Sequence, residues 1–220
     1  MALVYYLIVA VISYLLGSLN FGVILSNSMK KDDVRNYGSG NAGTTNMLRN
    51  YGKGYAVMTI IGDMLKVGVA IAVAFVIYRN VPAMNLSIFQ NYDFDVNMFL
   101  KSFAGFFCVL GHIFPCFFKF KGGKGVATSG GMVFIVDWRI ALILLAIFIV
   151  IVAVTRYVSL GSIVMAVLYP VLIFVFHRSI ILTIIALVFT IIVITAHREN
   201  IKKLINHTEN KIKFSSSKEH

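Results

Sequence analysis

Charge is scarce in this chain of 220 residues: Asp, Glu, Lys and Arg make up 13 %, while 59 % of the residues are hydrophobic. Soluble domains are roughly half apolar, so an ordinary water-soluble fold is excluded and a bilayer is the expected solvent. Acid is scarcer still, with 9 Asp and Glu against 20 Lys and Arg and a formal charge of +11. On a soluble protein that imbalance would suggest nucleic acid. On an apolar chain with basic loops it reports membrane orientation and anionic head groups, and no nucleic-acid partner is expected. There are two cysteines, Cys108 and Cys116, both in one apolar stretch beside aromatics. Free cysteine there behaves as a small hydrophobe, which argues against a disulfide or metal framework. The N-terminus lacks a basic n-region and Met1 to Leu25 lacks a clear A-x-A cleavage site, so this stretch reads as a retained first span rather than a signal peptide. In lipid, length limits the number of spans more than the number of domains, and one membrane-embedded domain over 1–220 is expected.

A helix crossing hydrocarbon needs about 20 largely apolar residues, because every backbone polar group must be satisfied internally. Ala2 to Leu25, Tyr55 to Tyr78 and Ile140 to Val154 with its flanks meet this, as does the long run from Val158 to Ala196. His177, Arg178 and Ser179 interrupt that run near its middle and divide it into two passes joined by a tight turn. Asn97 to Phe118 makes a further span, and the short apolar segment Val126 to Val136 returns the chain, set off by Asp137, Trp138 and Arg139, a trio suited to an interface. The expected fold is therefore all-α and polytopic, with seven transmembrane helices.

Basic residues in alternate loops give the orientation. One side holds Lys30, Lys31, Arg35, Arg49 and Lys53, then Lys119, Lys121 and Lys124, then Arg156, then the tail with Arg198, Lys202, Lys203, Lys211, Lys213 and Lys218; the other holds Arg79, Lys101, Arg139 and Arg178. Lys and Arg are retained in the cytoplasm, so the N-terminus is expected outside and the C-terminus inside. An odd number of spans is required for that, which supports counting the short segment as a pass.

Three clusters on the basic side carry chemistry. In Gly38-Ser39-Gly40-Asn41-Ala42-Gly43-Thr44-Thr45-Asn46, closed by Arg49, glycines expose successive amides, hydroxyls add donors and Arg49 can grip a phosphate or carboxylate bidentately. The alternative is a flexible loop in which Thr44 or Thr45 caps a helix. In Lys121-Gly122-Gly123-Lys124-Gly125-Val126-Ala127-Thr128, glycines lead into a helix whose amides and dipole aim at an anion, and two lysines add charge. The Walker spacing is absent, and the alternative is a positive-inside turn. His112 lies close by in sequence and either contacts the same anion or is a satisfied buried histidine. In the third cluster, His197 and Asn200 are three apart, on one face if the helix continues, where an imidazole and an amide can orient a hydroxyl or phosphate. An interfacial histidine with one ordinary hydrogen bond is the alternative. Glu209, in a basic tail, reads as an ion-pair partner rather than a base. Within the second span Asp63 and Lys66, three apart, read as a structural pair. Ser162, with Ser159 and Gly161, either faces the same cavity or serves close packing.

Together these three clusters resemble the bacterial acylphosphate:glycerol-3-phosphate acyltransferase family, the PlsY family of phospholipid synthesis, over most of the chain. The resemblance rests on Gly38 to Asn41 with Thr45, Asn46 and Arg49, on Gly111-His112 through Lys121 to Thr128, and on His197, Asn200 and Glu209. Two departures concern backbone shape: Asn20 stands where that family has proline, and His207 where it has glycine. The resemblance implies acyl transfer from acyl phosphate to the 1-hydroxyl of glycerol 3-phosphate, giving lysophosphatidic acid and phosphate. It also implies no metal or other cofactor and no obligate protein partner, at the cytoplasmic face of the bacterial plasma membrane. Ser39, Arg49, His197 and Asn200 would be catalytic. Gly40, Asn41, Thr45, Asn46, His112, Lys121, Gly122, Gly123, Lys124, Gly125 and Ser162 would bind substrate phosphate, with Glu209 structural. Which loop takes which phosphate is left open, as is whether His197 or a substrate phosphate accepts the proton.

A transporter of phosphorylated metabolites would place its site near the midplane, between repeats. Here the polar loops gather on one side and no internal repeat is visible. A lipid-recruiting scaffold leaves both glycine loops without a purpose.

Overall fold

The computed structural model describes residues 2–82 and 95–212. Met1, Lys213 and Lys218, which entered the reading of the two ends, lie outside them. Regular structure among the described residues is helical: α1 (Ala2–Ser18), α2 (Phe21–Lys30), α3 (Thr44–Tyr51), α4 (Lys53–Asn80), α5 (Val96–Ile113), α6 (Val126–Val136), α7 (Trp138–Thr155), α8 (Val158–His177), α9 (Ile180–Ala196) and α10 (Arg198–Ile205). Ala2–Lys30, Lys53–Asn80, Val96–Phe118, Trp138–Thr155 and Val158–His177 are long and apolar enough to cross a bilayer, and α9 with α10, bent by 62°, makes a sixth candidate. The expected return segment α6 has 11 residues. At 1.5 Å per residue it covers about 16 Å, roughly half the hydrocarbon thickness, and is shorter than any of these candidates. The helices group into two compact units, Met1–Trp138 and Arg139–His220.

In the first unit α1 lies along α5 so closely that a Cβ on Gly17 would strike the Cys108 backbone and one on Gly111 the Tyr14 carbonyl. Small residues at a helix crossing let backbones approach in this way. Ala2 to Leu25 was expected as one continuous helix, but the chain breaks between Ser18 and Phe21. Asn20 is the reason, because its Oδ1 accepts from Val23 N at 3.4 Å and caps α2. The Leu19 carbonyl takes a hydrogen bond from Lys66 Nζ at 3.0 Å. Beyond α2, Val23, Val34, Ala42 and Met47 form a small core, packed by Leu25, Tyr51, Tyr55 and Phe118. This core gives the 31–43 loop a base to fold on.

In the second unit the expected turn at His177 to Ser179 is present. Arg178 adopts φ 51°, and the Ser179 hydroxyl oxygen accepts from Leu182 N to cap α9. The Thr190 hydroxyl donates to the Ala166 carbonyl at 2.7 Å and Tyr169 meets Phe189 edge-on, fastening α9 to α8. The last helix, α10, ends with His207 N on the Leu204 carbonyl and Thr208 N on the Lys203 carbonyl, a Schellman arrangement with His207 at φ 55°. Ile212 N then donates to the Arg156 carbonyl at 2.8 Å, tying the tail to the α7–α8 turn.

Candidate active-site loops

The 38–46 loop is organised by Asn46, which is 2 % exposed. Its Nδ2 donates to the carbonyls of Val34, Tyr37 and Asn41 at 2.9, 3.0 and 2.9 Å. Its Oδ1 accepts from Ser39 N and Asn50 Nδ2, both at 3.0 Å. An amide has two donors and one two-lone-pair acceptor, so this side chain is fully occupied. Asn46 was expected to touch phosphate; its hydrogen-bonding groups instead hold the loop. Asn41 Oδ1 is likewise used locally, accepting from Gly43 N at 3.0 Å. Neither Thr44 nor Thr45 caps α3, because the cap position falls on Gly43, with no side-chain bond. Gly38 and Gly40, at φ 59° and 69°, turn the chain through left-handed conformations open to glycine. The consequence is an exposed Ser39 and Gly40, a half-buried Thr45 and an exposed Arg49.

The 121–125 loop folds back onto the end of α5. Gly123 N donates to the His112 carbonyl and Gly122 N to the Ile113 carbonyl, both at 3.2 Å. Both amides, expected to bind phosphate, are therefore already engaged. A Cβ on Gly122 would meet that same His112 carbonyl, and one on Gly123 the His112 Nε2, so close approach explains both glycines. Gly125, at φ 79°, starts α6, and in the first turn the buried hydroxyls of Thr128 and Ser129 have no hydrogen-bond partner. Lys121 is exposed and Lys124 half-buried.

One residue joins the two loops. Arg35 Nη1 donates to the carbonyls of Phe118 and Lys121 at 3.0 and 2.8 Å. Its Nε and Nη2 grip Asp33 at 2.6 to 3.0 Å, and the guanidinium lies over the Phe118 ring. Arg35 holds the Asp33 carboxyl below the usual carboxylate range. In the sequence Arg35 is one more loop cation; the two carbonyls it bridges lie more than 80 positions away, and no local signal marks that bridge.

Beneath the second loop Asp63 and Lys66 pair at 2.8 Å, as expected. His112 joins them, its Nδ1 2.8 Å from Lys66 Nζ and 3.4 Å from Asp63 Oδ1. All three are buried.

The second unit carries its own cluster. His197 Nδ1 lies 2.8 Å from the Val193 carbonyl. A carbonyl only accepts, so Nδ1 carries the proton and Nε2 the lone pair in the neutral ring. Glu209 Oε1 accepts from Ser159 Oγ and from Asn200 Nδ2, each at 3.0 Å. Glu209, expected as an ion-pair partner, instead clamps a hydroxyl and an amide. A carboxylate accepts only, which fixes the Asn200 amide with its NH2 toward Glu209 and leaves Asn200 Oδ1 buried and without a hydrogen-bond partner. Ser162, expected on phosphate, is 3 % exposed and its hydroxyl donates to the Val158 carbonyl one turn back, which fits packing. Among the described residues no three His, Cys, Asp or Glu side chains gather as a metal site.

Apolar helices of spanning length, with polar loops, define an all-helical integral membrane protein. A family model described as glycerol-3-phosphate acyltransferase matches residues 7–207. The chain is 40 % identical over 208 residues to a glycerol-3-phosphate acyltransferase of Clostridioides difficile, covering 94 % of this chain and 95 % of that one. With a protein of the same name from Coxiella burnetii it shares 38 % over 209 residues, 95 % and 99 % of the two chains. The fold is similar to a crystal structure of PlsY, an integral membrane glycerol 3-phosphate acyltransferase, in its glycerol 3-phosphate form. The TM-score is 0.80 and the identity 36 %, with 94 % of this chain and 96 % of that chain covered. The lysophosphatidic acid form superposes with a TM-score of 0.77 at 34 % identity, covering 94 % and 95 %. The chain belongs to the PlsY family of glycerol-3-phosphate acyltransferases.

Proposed function

We propose that the chain transfers a fatty acyl group from acyl phosphate to the 1-hydroxyl of glycerol 3-phosphate, giving lysophosphatidic acid and inorganic phosphate, as one membrane-embedded domain. The observation that carries this reading is the clamped amide of Asn200. An alcohol about to attack needs an acceptor for its proton-bearing end, and Asn200 Oδ1 is buried, oriented by Glu209 and otherwise unpartnered. His197, with its lone pair on Nε2, is a second acceptor of the type an attacking hydroxyl uses. In the reaction the hydroxyl oxygen bonds to the acyl carbon, the bond from that carbon to the phosphate oxygen breaks, and the hydroxyl proton leaves to His197 or to the departing phosphate. A mixed anhydride has a good leaving group, so positioning and charge stabilisation suffice and no covalent enzyme intermediate or cofactor is invoked.

The anionic groups of the two substrates are assigned to the exposed Arg49 and Ser39 with Thr45, and to Lys121, Lys124 and the first turn of α6, where the Thr128 and Ser129 hydroxyls stand unpartnered. Asn46, Gly122 and Gly123 shape these loops. The loops are proposed to face the cytoplasm of a bacterial plasma membrane, with the N-terminus outside and α6 counted as the seventh pass. An acyl chain among the helices would contribute about 0.8 kcal/mol per methylene while its phosphate stays at the wet face.

The test is release of phosphate from palmitoyl phosphate by purified protein, with and without glycerol 3-phosphate. Release that requires the acceptor and collapses in Arg49→Ala is the expected result, whereas acceptor-independent release or none from folded protein overturns the reading. Unchanged turnover in His197→Ala would remove the histidine from proton transfer and leave the phosphate as base.

A further inference from the structure

We infer that Lys66, anchored by Asp63, is a positioning residue that fixes His112 as the neutral ring with its proton on Nε2, presenting that N–H to the 121–125 loop. Lys66 Nζ donates to the Leu19 carbonyl at 3.0 Å, lies 2.8 Å from His112 Nδ1 and forms an ion pair with Asp63 Oδ1 at 2.8 Å; an ammonium only donates. A proton on Nδ1 would face a protonated amine at 2.8 Å, with Asp63 as its alternative acceptor only at 3.4 Å. A bare Nδ1 accepts from the ammonium; a protonated one would set two donors face to face. Charge agrees with geometry. Asp63 and Lys66 cancel, and a neutral ring keeps this buried group of three neutral, whereas an imidazolium would leave an uncompensated charge inside a span.

The consequence lies on the far side of the ring. Nε2 faces Gly123, where even a Cβ has no room. The Gly122 and Gly123 amides are engaged by the α5 carbonyls, so the loop has lost two of the donors expected of it, and the His112 N–H replaces one. Resting on the proposal that this loop holds a phosphate-bearing substrate, the inference extends the functional site through His112 to two residues one layer deeper in the membrane, neither of which touches substrate.

The experiment combines a spectrum with kinetics. Bilayer-embedded protein labelled with 15N-histidine is compared with His112→Gln to assign the His112 signals; a bare Nδ1 and a protonated Nε2 are expected. Lys66→Met should lose that signature. It should also raise KM for one phosphate-bearing substrate about ten- to a hundredfold, the scale of one hydrogen bond to a charged group, with kcat changed far less. If Lys66→Met does not fold, a second pair decides: His112→Asn, whose amide stops at the Nδ1 position, should raise KM more than His112→Gln, whose amide nitrogen reaches the Nε2 position. A proton on Nδ1, or unchanged KM in both Lys66→Met and His112→Asn, overturns the inference. Failure of the functional reading is separate, since it shows as absent acceptor-dependent phosphate release in wild-type protein while the histidine spectrum is unaffected.

Discussion

The two glycine loops of the first unit look alike in the sequence and are held in opposite ways. The 38–46 loop wraps a side chain: Asn46 ties together Val34, Tyr37, Ser39, Asn41 and Asn50, and its glycines supply left-handed turns. The 121–125 loop is fastened backbone to backbone onto α5, and Gly122 and Gly123 are there because nothing larger fits. Glycine is used for rotation in one loop and for proximity in the other. A substitution should therefore hurt each loop for a different reason.

The largest expected effect is Asn46→Ala. It removes one side chain and leaves several buried backbone groups unsatisfied, lowering stability by about 3 kcal/mol and abolishing most acceptor-dependent phosphate release; thermal unfolding in detergent with the phosphate assay checks both. Next, Gly123→Ala must displace the His112 ring and should lose about 2 kcal/mol. Gly40→Ala meets nothing nearer than 3.6 Å and bears only the left-handed backbone penalty, about 1 kcal/mol. Equal losses in parallel melts would erase the distinction between the loops. Arg35→Lys keeps the charge but cannot bridge Asp33 and two carbonyls from one planar group; a loss of about 1 kcal/mol is expected with a severalfold drop in kcat/KM.

The rotational use of glycine can be checked outside both loops. His207 occupies a left-handed C-terminal position of α10, so His207→Gly should raise stability by up to about 1 kcal/mol, read as a higher unfolding midpoint. The smallest effect concerns Asp33. Its carboxyl is held below the ordinary value near 4, so it contributes stability above that value and loses the contribution as pH falls through its lowered folded value. Unfolding midpoints of wild type and Asp33→Asn should converge as pH is taken below about 4.

Hydropathy located the long helices and the Arg178–Ser179 turn because these follow from runs of apolar residues and a local interruption. It did not locate the break at Leu19 and Asn20. That break depends on one capping amide and on a carbonyl taken by Lys66, 47 positions on. The three clusters were visible as composition, but not which polar groups are available in them. Whether the Gly122 and Gly123 amides are engaged depends on where α5 ends in space, and whether Ser162 is exposed depends on its own helix. Arg35 was invisible as a bridge for the same reason, since its acceptors at Phe118 and Lys121 come from another part of the chain.

Helix α7 shows the reverse situation. Ile140, Leu144 and Val152 are buried among its 18 residues and nine others are exposed, so about half of its side chains would meet acyl tails rather than protein. On that exposed half the sequence is constrained by composition and not by fit. Homologous proteins should drift freely there among Leu, Ile, Val and Phe, and a library scrambling the exposed positions within that alphabet should return active clones at a rate that no other long helix of the chain would match.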